Sequence, residues 1–465
     1  MHNLFTNLIL NTDSYKASHY LQYPPMVSGL MSYIEARGNG QRKTTFFGLQ
    51  MFLIEYLSKP ITQADIDIAE PIFLAHGEPF NRAGWEYILN KHNGYMPVRI
   101  KAVPEGRRVP TGNVLVTVES TDPHVFWVVN YLETALLRAV WYPTTVCSIS
   151  REIKDLVSQF LRDTSENMTP ESLFKLHDFG SRGVSSRESA GIGGISHLVN
   201  FMGTDTIEGI IAGKVYYGCD MAGFSIPAAE HSTITSWGKS HEADAYRNMV
   251  KQFGGKGKLV AVVSDSYNIF NACERIWGEE LRQEVIDSGA TVVVRPDSGD
   301  PVTVVLKCTE ILGDKFGYTT NAKGYKVLNH VRVIQGDGID NPMIYDILST
   351  LKRNGWSAEN VAFGMGGALL QHPNRDTYSF AMKCCAIRKD GVWQDVYKDP
   401  ATDSRKKSKA GRISLYEDVD GGLHSEKIDT VEAVDQLTEV LIPVFENGKI
   451  LKLYTFDEVR TNSQA

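Results

Sequence analysis

The chain has 465 residues, of which 42% are apolar and 22% charged, with a formal net charge of −7. That length suits two domains and that composition a globular protein. The acidic balance argues against a nucleic-acid binder, which would carry a basic face, and no run approaches the roughly 18 apolar residues of a membrane span. The first ten residues lack the basic start and apolar core of a secretion signal. The six cysteines, none in a C-x-x-C pair, read as reduced thiols. Both features point to the cytoplasm.

Residues 1–125 mix short strands and turns, punctuated by Pro24-Pro25, Gly38-Asn39-Gly40 and Pro110-Thr111-Gly112. Residues 114–118 read as a strand, and 128–140 as a helix that stops before Pro143. In SREIKDLVSQFLRD (150–163), Ile153, Leu156, Val157, Phe160 and Leu161 recur with helical period and predict an amphipathic helix.

From near Leu173 a strand–helix alternation begins. Four times between residues 259 and 370 an apolar β-branched run stops at a glycine- or aspartate-rich loop. The runs are LVAVVSDSYN (259–268), TVVVRPDSGDP (291–301), VRVIQGDGID (331–340) and VAFGMGGALL (361–370). Their recurrence at about 30 to 40 residues fits one strand, its loop and a returning helix, and a parallel barrel places its chemistry on those loops. Beyond about Cys385 the pattern turns to short strands, a basic cluster and a polar tail. The expected architecture is α/β. An irregular β/α barrel spans 146–384, beside a second α/β layer built from 1–145 and 385–465.

The loops hold Asp265, Arg295, Asp297, Asp337 and two glycine clusters, a set suited to a phosphorylated, metal-bound, sugar-like ligand. In Arg295-Pro296-Asp297-Ser298-Gly299 an arginine fork for phosphate stands two residues from a carboxylate for ribose or Mg²⁺; the other reading is a turn capped by its Asp and Ser. Asp265 serves equally as an N-cap for a helix starting near Tyr267 or as a metal ligand beside Asp297. Gly336 and Asp337, with Gly366 and Gly367, end the last two barrel runs, where loops often cradle phosphate; tight turns explain the same glycines. His231, between small residues after a proline, reads as a structural group or as an acid–base side chain. Around Phe179, Lys175-Leu176-His177-Asp178 and Gly180-Ser181-Arg182 set an aromatic among anion ligands or solvated charges. The basic run 405–412 reads as a solvated loop that could also attract polyphosphate.

N-T-D-S-Y-K (11–16), K-L-H-D-F-G (175–180), G-T-D-T (203–206), P-A-A-E-H-S-T-I-T (227–235), R-P-D-S-G, Q-G-D-G and the F-G-x-G-G loop appear in order. Together they resemble the nicotinamide phosphoribosyltransferases, from near Asn11 to Arg460. The resemblance implies the type II phosphoribosyltransferase fold and a head-to-tail homodimer with shared active sites. It also implies formation of nicotinamide mononucleotide and pyrophosphate from nicotinamide and 5-phosphoribosyl 1-pyrophosphate, stimulated by ATP through phosphorylation of His231. Phe179 and the partner's Tyr15 would sandwich the pyridine, and Asp205 with Ser225 would meet its carboxamide. Arg182 and Arg295 would face the pyrophosphate, while Asp297 and Asp337 hold ribose hydroxyls and Asp265 with Asp297 holds Mg²⁺. Gly336, Gly366, Gly367 and the partner's Arg375 would complete the phosphoribosyl site. Arg37, Lys383, Lys398 and Lys406 would line the polyphosphate side.

The nearest rival is a nicotinate phosphoribosyltransferase, against which Asp205 argues by like-charge repulsion of the acid. A catalytically silent binding protein is opposed by intact His231, Arg295 and Asp297. A Schiff-base barrel aldolase is opposed by the absence of a lysine ending any of the four runs.

Overall fold

The computed structural model describes residues 4–166, 171–402, 407–431 and 437–464. The chain divides into two compact units, one of Met1–Ser148, Val215–Cys219 and Asn374–Ala465, the other of Ile149–Lys214 and Asp220–Pro373. Among the described residues no helix is long and apolar enough to cross a membrane.

In the first unit a seven-stranded sheet contains Val27–Ala36, which pairs antiparallel with Phe380–Lys389 on one side and with the middle strand, Val114–Ser120, on the other. Val98–Ala102 and Ile442–Glu446 extend it, so segments from both ends of the chain share one layer. Nine of the ten residues of Val27–Ala36 are buried, as a strand covered on both faces requires.

The helix expected to stop before Pro143 does not. Glu133–Thr164 runs as one helix, α1, with Pro143 inside it, and absorbs the amphipathic stretch that follows. A proline here removes an N–H and crowds the preceding turn. Tertiary packing offsets this locally: Gly48, at φ +99°, lacks a side chain where a Cβ would fall 2.5 Å from the Pro143 ring. The hydroxyls of Thr145 and Ser148 donate to carbonyls one turn back, Trp141 O and Thr144 O.

The second unit is the barrel. Its strands are β1 (Leu176–Asp178), β2 (Gly203–Thr204), β3 (Leu259–Val263), β4 (Thr291–Arg295), β5 (Val331–Gln335) and β6 (Val361–Met365). All pairings are parallel, in the order β2-β1-β6-β5-β4-β3. The extended segment 224–229 bridges both edges, Phe224 to Gly203 of β2 and Ala228 to Ala261 of β3, which makes the barrel irregular. After this segment comes α2 (His231–Thr235), after β4 comes α3 (Pro301–Phe316), after β5 comes α4 (Asn341–Arg353), and after β6 the short α5 (Gly367–Leu370). Asp300 and Asp340 cap α3 and α4, each accepting a backbone N–H three residues on, with a proline in the first turn. These caps stop the loops at fixed points and leave their preceding residues at the carboxyl ends of the strands.

Candidate active site

At the end of β1 the buried Asp178 ties down the turn that presents Phe179. Its Oδ1 accepts the Gly180 N–H at 2.7 Å and its Oδ2 the Thr204 hydroxyl at 3.3 Å. Burial raises its pKa against the lowering effect of those bonds. The Phe179 N–H donates to Met365 O of β6. The ring then lies over glycine: a Cβ on Gly364 would fall 1.9 Å from Phe179 Cε2, and one on Gly336 would fall 3.1 Å away. Ala261, Val293 and Ile334 form the apolar floor, with Ile226 and Ala362 packed against it beside Phe179. The Arg295 guanidinium stands 5.5 Å from the ring centroid. The result is a flat apolar surface carrying a half-buried aromatic ring, with a cation beside it.

Asp205 follows β2, and its N–H donates to Asp178 O. Its Oδ1 accepts from His177 Nε2 at 3.0 Å and from the Ser225 hydroxyl. Burial alone would raise the Asp205 pKa, but the bonds from His177 and Ser225 and the charge of Arg295 hold it below the usual carboxylate value. Asp205 is therefore an ionised acceptor, held by the His177 imidazole, whose ring lies 5.2 Å from that of Phe179. The partnership with His177 was not visible in the sequence, because it joins a side chain on β1 to one just past β2, 28 residues apart.

His231, Asp265, Asp297 and Arg295 converge at the ends of β3 and β4. The segment 227–229 runs alongside β3, with Ala261 N–H donating to Pro227 O and Ala229 N–H to Ala261 O. That pairing delivers His231 to the loop end, where it opens α2 with Glu230 as its N-cap. His231 Nε2 lies 3.4 Å from Asp297 Oδ2 and 3.7 Å from Asp265 Oδ1, and its Nδ1 lies 3.3 Å from Ser266 Oγ.

Asp265 is not the helix cap. That place belongs to Asn268, whose side chain accepts the Asn271 N–H. Asp265, whose side chain is only 4% exposed, accepts the Ser298 hydroxyl on Oδ2, while its buried Oδ1 has no hydrogen-bond partner. Arg295 donates to Asp297 Oδ1 at 2.8 Å, so the arginine fork is steered by its own loop's carboxylate.

The glycine loops lie close by. Gly183, after Arg182, packs so that a Cβ would meet Gly367 at 3.5 Å. This draws the Ser181–Gly183 turn to the Gly366-Gly367 start of α5. Arg182 is exposed, as is Asp337, whose backbone carbonyl accepts from Gln335 Nε2.

Within the first unit, Arg37, Arg375 and Lys383 line a pocket of about 270 Å³ together with Glu133. Burial lowers the Lys383 pKa, and Arg37, Arg375 and Lys398 reinforce it against the opposing charge of Glu133. Tyr15 is 54% exposed, with its ring edge-on to His19. Lys406 lies outside the described residues. The described part of the basic run, 407–412, is not simply a solvated loop: Lys409 reaches inward to the buried Glu35 and to Gly112 O.

The model of the nicotinate phosphoribosyltransferase (NAPRTase) family matches residues 174–445, more than half of the chain. The chain belongs to that family. Residues 7–100 match the model of the nicotinamide phosphoribosyltransferase N-terminal domain. A nicotinamide phosphoribosyltransferase of Xanthomonas campestris pv. campestris (strain 8004) is 55% identical, covering 100% of this chain and 99% of that protein. One from Acinetobacter baylyi is 31% identical over 96% of this chain and 95% of its own length. Among solved structures, nicotinate-nucleotide pyrophosphorylase from Pyrococcus furiosus shares the fold at a TM-score of 0.63 and 15% identity, covering 100% of this chain and 96% of that one. The barrel is that of the type II phosphoribosyltransferases.

Members of the nicotinate phosphoribosyltransferase family handle a phosphoribosyl donor, which raises the question of a divalent cation. Among the described residues no three His, Cys, Asp or Glu side chains are grouped to hold a metal. The donor set still fits Mg²⁺, which takes one or two carboxylates and fills its shell with water and substrate phosphates. Asp265 meets that description, since its buried Oδ1 has no hydrogen-bond partner and faces the side of Asp297 and His231.

Proposed function

We propose that this phosphoribosyltransferase joins nicotinamide to 5-phosphoribosyl 1-pyrophosphate, forming nicotinamide mononucleotide and pyrophosphate in NAD salvage. The observation that carries the reading is Asp205, an ionised acceptor held near Phe179 by His177 and Ser225. A carboxylate there accepts a hydrogen bond from a carboxamide NH₂ and repels the carboxylate of nicotinate, so the site favours the amide. The 55% identical relative bears the corresponding name.

In this reading the pyridine ring stacks on Phe179, with Tyr15 of the partner subunit closing the other face in a homodimer. The ring nitrogen displaces pyrophosphate at ribose C1, and positive charge grows on the sugar as negative charge grows on the leaving group. Arg182 and Arg295 meet that negative charge. Asp297 and Asp337 hold the ribose hydroxyls and so fix C1 before the nitrogen. Gly336, Gly366 and Gly367, which carry no Cβ, admit the sugar and its 5′-phosphate to backbone N–H groups, with Arg375 of the partner subunit as counter-charge. Mg²⁺ held by Asp265 and Asp297 would supply charge neutralisation for the departing pyrophosphate.

ATP enters as a co-substrate that phosphorylates His231. A phosphoryl group on the half-exposed imidazole, whose Nε2 faces both carboxylates, would add negative charge to the metal side of the site. Arg37, Lys383, Lys398 and Lys406 would line the polyphosphate path. Free cysteines throughout the described residues suit the cytoplasm. Steady-state turnover of nicotinamide and nicotinate by the same purified protein tests the assignment. A higher kcat/KM for nicotinamide is expected, and a preference for the acid would overturn it.

A further inference from the structure

We infer that His177 is a positioning residue for substrate selection, one that commits a single oxygen of Asp205 to the protein and leaves the other to the substrate. The inference rests on the amide-reading role of Asp205 and adds a residue to it.

His177 sits in the middle of β1, directly opposite Gly203 of β2. Its ring fits there because residue 203 is glycine: a Cβ would come within 2.8 Å of His177 Nδ1. From that seat Nε2 reaches Asp205 Oδ1 at 3.0 Å. A carboxylate can only accept, so Nε2 carries the proton and donates. Ser225 donates its hydroxyl to the same Oδ1. Two donors on one oxygen leave Oδ2 without a partner among the described residues, and they fix the rotation of the carboxylate about its Cβ–Cγ bond. The imidazole is mostly buried, at 14% exposed, while Asp205 is 48% exposed. The donor is thus anchored and the acceptor reaches into the site.

The consequence is directional. With Oδ1 occupied, a substrate meets an acceptor of fixed orientation that has no proton to give. A carboxamide NH₂ satisfies it and a carboxylate does not. The charged groups facing the pair are Arg295, which acts on Asp205, and the buried Asp178 and His197, which both feel His177. Without the His177 donor Asp205 gains rotational freedom and returns toward its ordinary protonation.

The test uses the full-length protein and three variants, His177→Gln, His177→Asn and His177→Ala. The glutamine amide can reach the place of imidazole Nε2, while the shorter asparagine reaches only that of Nδ1. The readout is the ratio of kcat/KM for nicotinamide to that for nicotinate, together with its pH profile and KM for 5-phosphoribosyl 1-pyrophosphate. Losing a donor to a charged acceptor is expected to lower the ratio by about tenfold or more in the Asn and Ala variants. Most of the loss should fall in KM for nicotinamide, and the acid limb of the ratio should move to higher pH. The Gln variant should stay within about threefold of the parent, because it keeps the donor. If the Ala variant fails to fold, the Gln–Asn contrast decides alone, since both are polar amides. Equal ratios for parent, Gln and Asn variants would overturn the positioning role while leaving the nicotinamide assignment intact. A parent that prefers nicotinate would instead overturn the reading on which it rests.

Discussion

Gly364 and Phe179 occupy one space: the phenyl ring lies where the side chain of residue 364 would be, 1.9 Å from an ideal Cβ. The glycine on β6 therefore sets the seat of the ring on which the proposed pyridine would stack. Gly364→Ala should expel the ring from its seat against Ala261, Val293 and Ile334. KM for nicotinamide should rise by about tenfold or more, and overpacking should cost about 1–3 kcal/mol of stability. Steady-state kinetics and urea unfolding on the same preparation check both; an unchanged KM would show that the seat of the ring is irrelevant to binding.

Asp265 carries a buried oxygen without a hydrogen-bond partner, its nearest basic group being His231 Nε2 at 3.7 Å. Such an oxygen costs about 1–3 kcal/mol unless a ligand completes it. Asp265→Asn should leave the metal-free melting temperature unchanged or higher, and should remove most of the rise in melting temperature that Mg²⁺ with pyrophosphate gives the parent. A full Mg²⁺ response in the variant would place the cation elsewhere.

His231 lies nearer to Asp297 than to Asp265, so its imidazole is held from the α2 side over both carboxylates. His231→Ala should abolish ATP hydrolysis and slow nucleotide formation while leaving transfer without ATP detectable. Assaying phosphate release and nicotinamide mononucleotide in parallel checks this. Intact ATP coupling in the variant would take His231 out of the mechanism.

The strands that the sequence announced were those buried on both faces. β3 to β6 are continuous apolar runs, each stopped by Gly or Asp, and such runs need no partner to be recognised. β1 and β2, at three and two residues, are too short to show a period. The closing segment 224–229 is defined only by its bridges to two distant strands. Pro143 signalled a helix end because its partner Gly48 is remote in sequence. Asp265 and Asn268 both suit a cap, and only the backbone path decides between them. His177 with Asp205, and Lys409 with Glu35, are pairings made by the fold, so their chemistry was hidden until the strands were assembled.

His197 links the barrel to acid sensitivity. It is fully buried, with Nδ1 at 3.0 Å from Ser150 Oγ, Nε2 at 3.2 Å from Gly203 O, and its ring stacked on Phe201. Burial pushes its pKa down to about 3 from 6.5. The unfolded chain therefore binds the extra proton first, and the stability contributed by neutral His197 is complete above pH 6.5 and is lost as pH falls toward 3. Between pH 7 and pH 5 the loss should be about 2 kcal/mol. Urea unfolding at the two values should show that difference in the parent and not in His197→Gln. An equal slope in both would show that other groups set the acid response. Because His197 holds Gly203, the first residue of β2, this acid loss acts next to Asp205.

The most direct test of the account is the selectivity of Asp205→Asn. The ratio of kcat/KM for nicotinamide to that for nicotinate should exceed one in the parent and narrow by about tenfold or more in the variant, since the like charge facing the acid is gone. An unchanged ratio, or a parent that favours nicotinate, would contradict the claim that this carboxylate reads the amide.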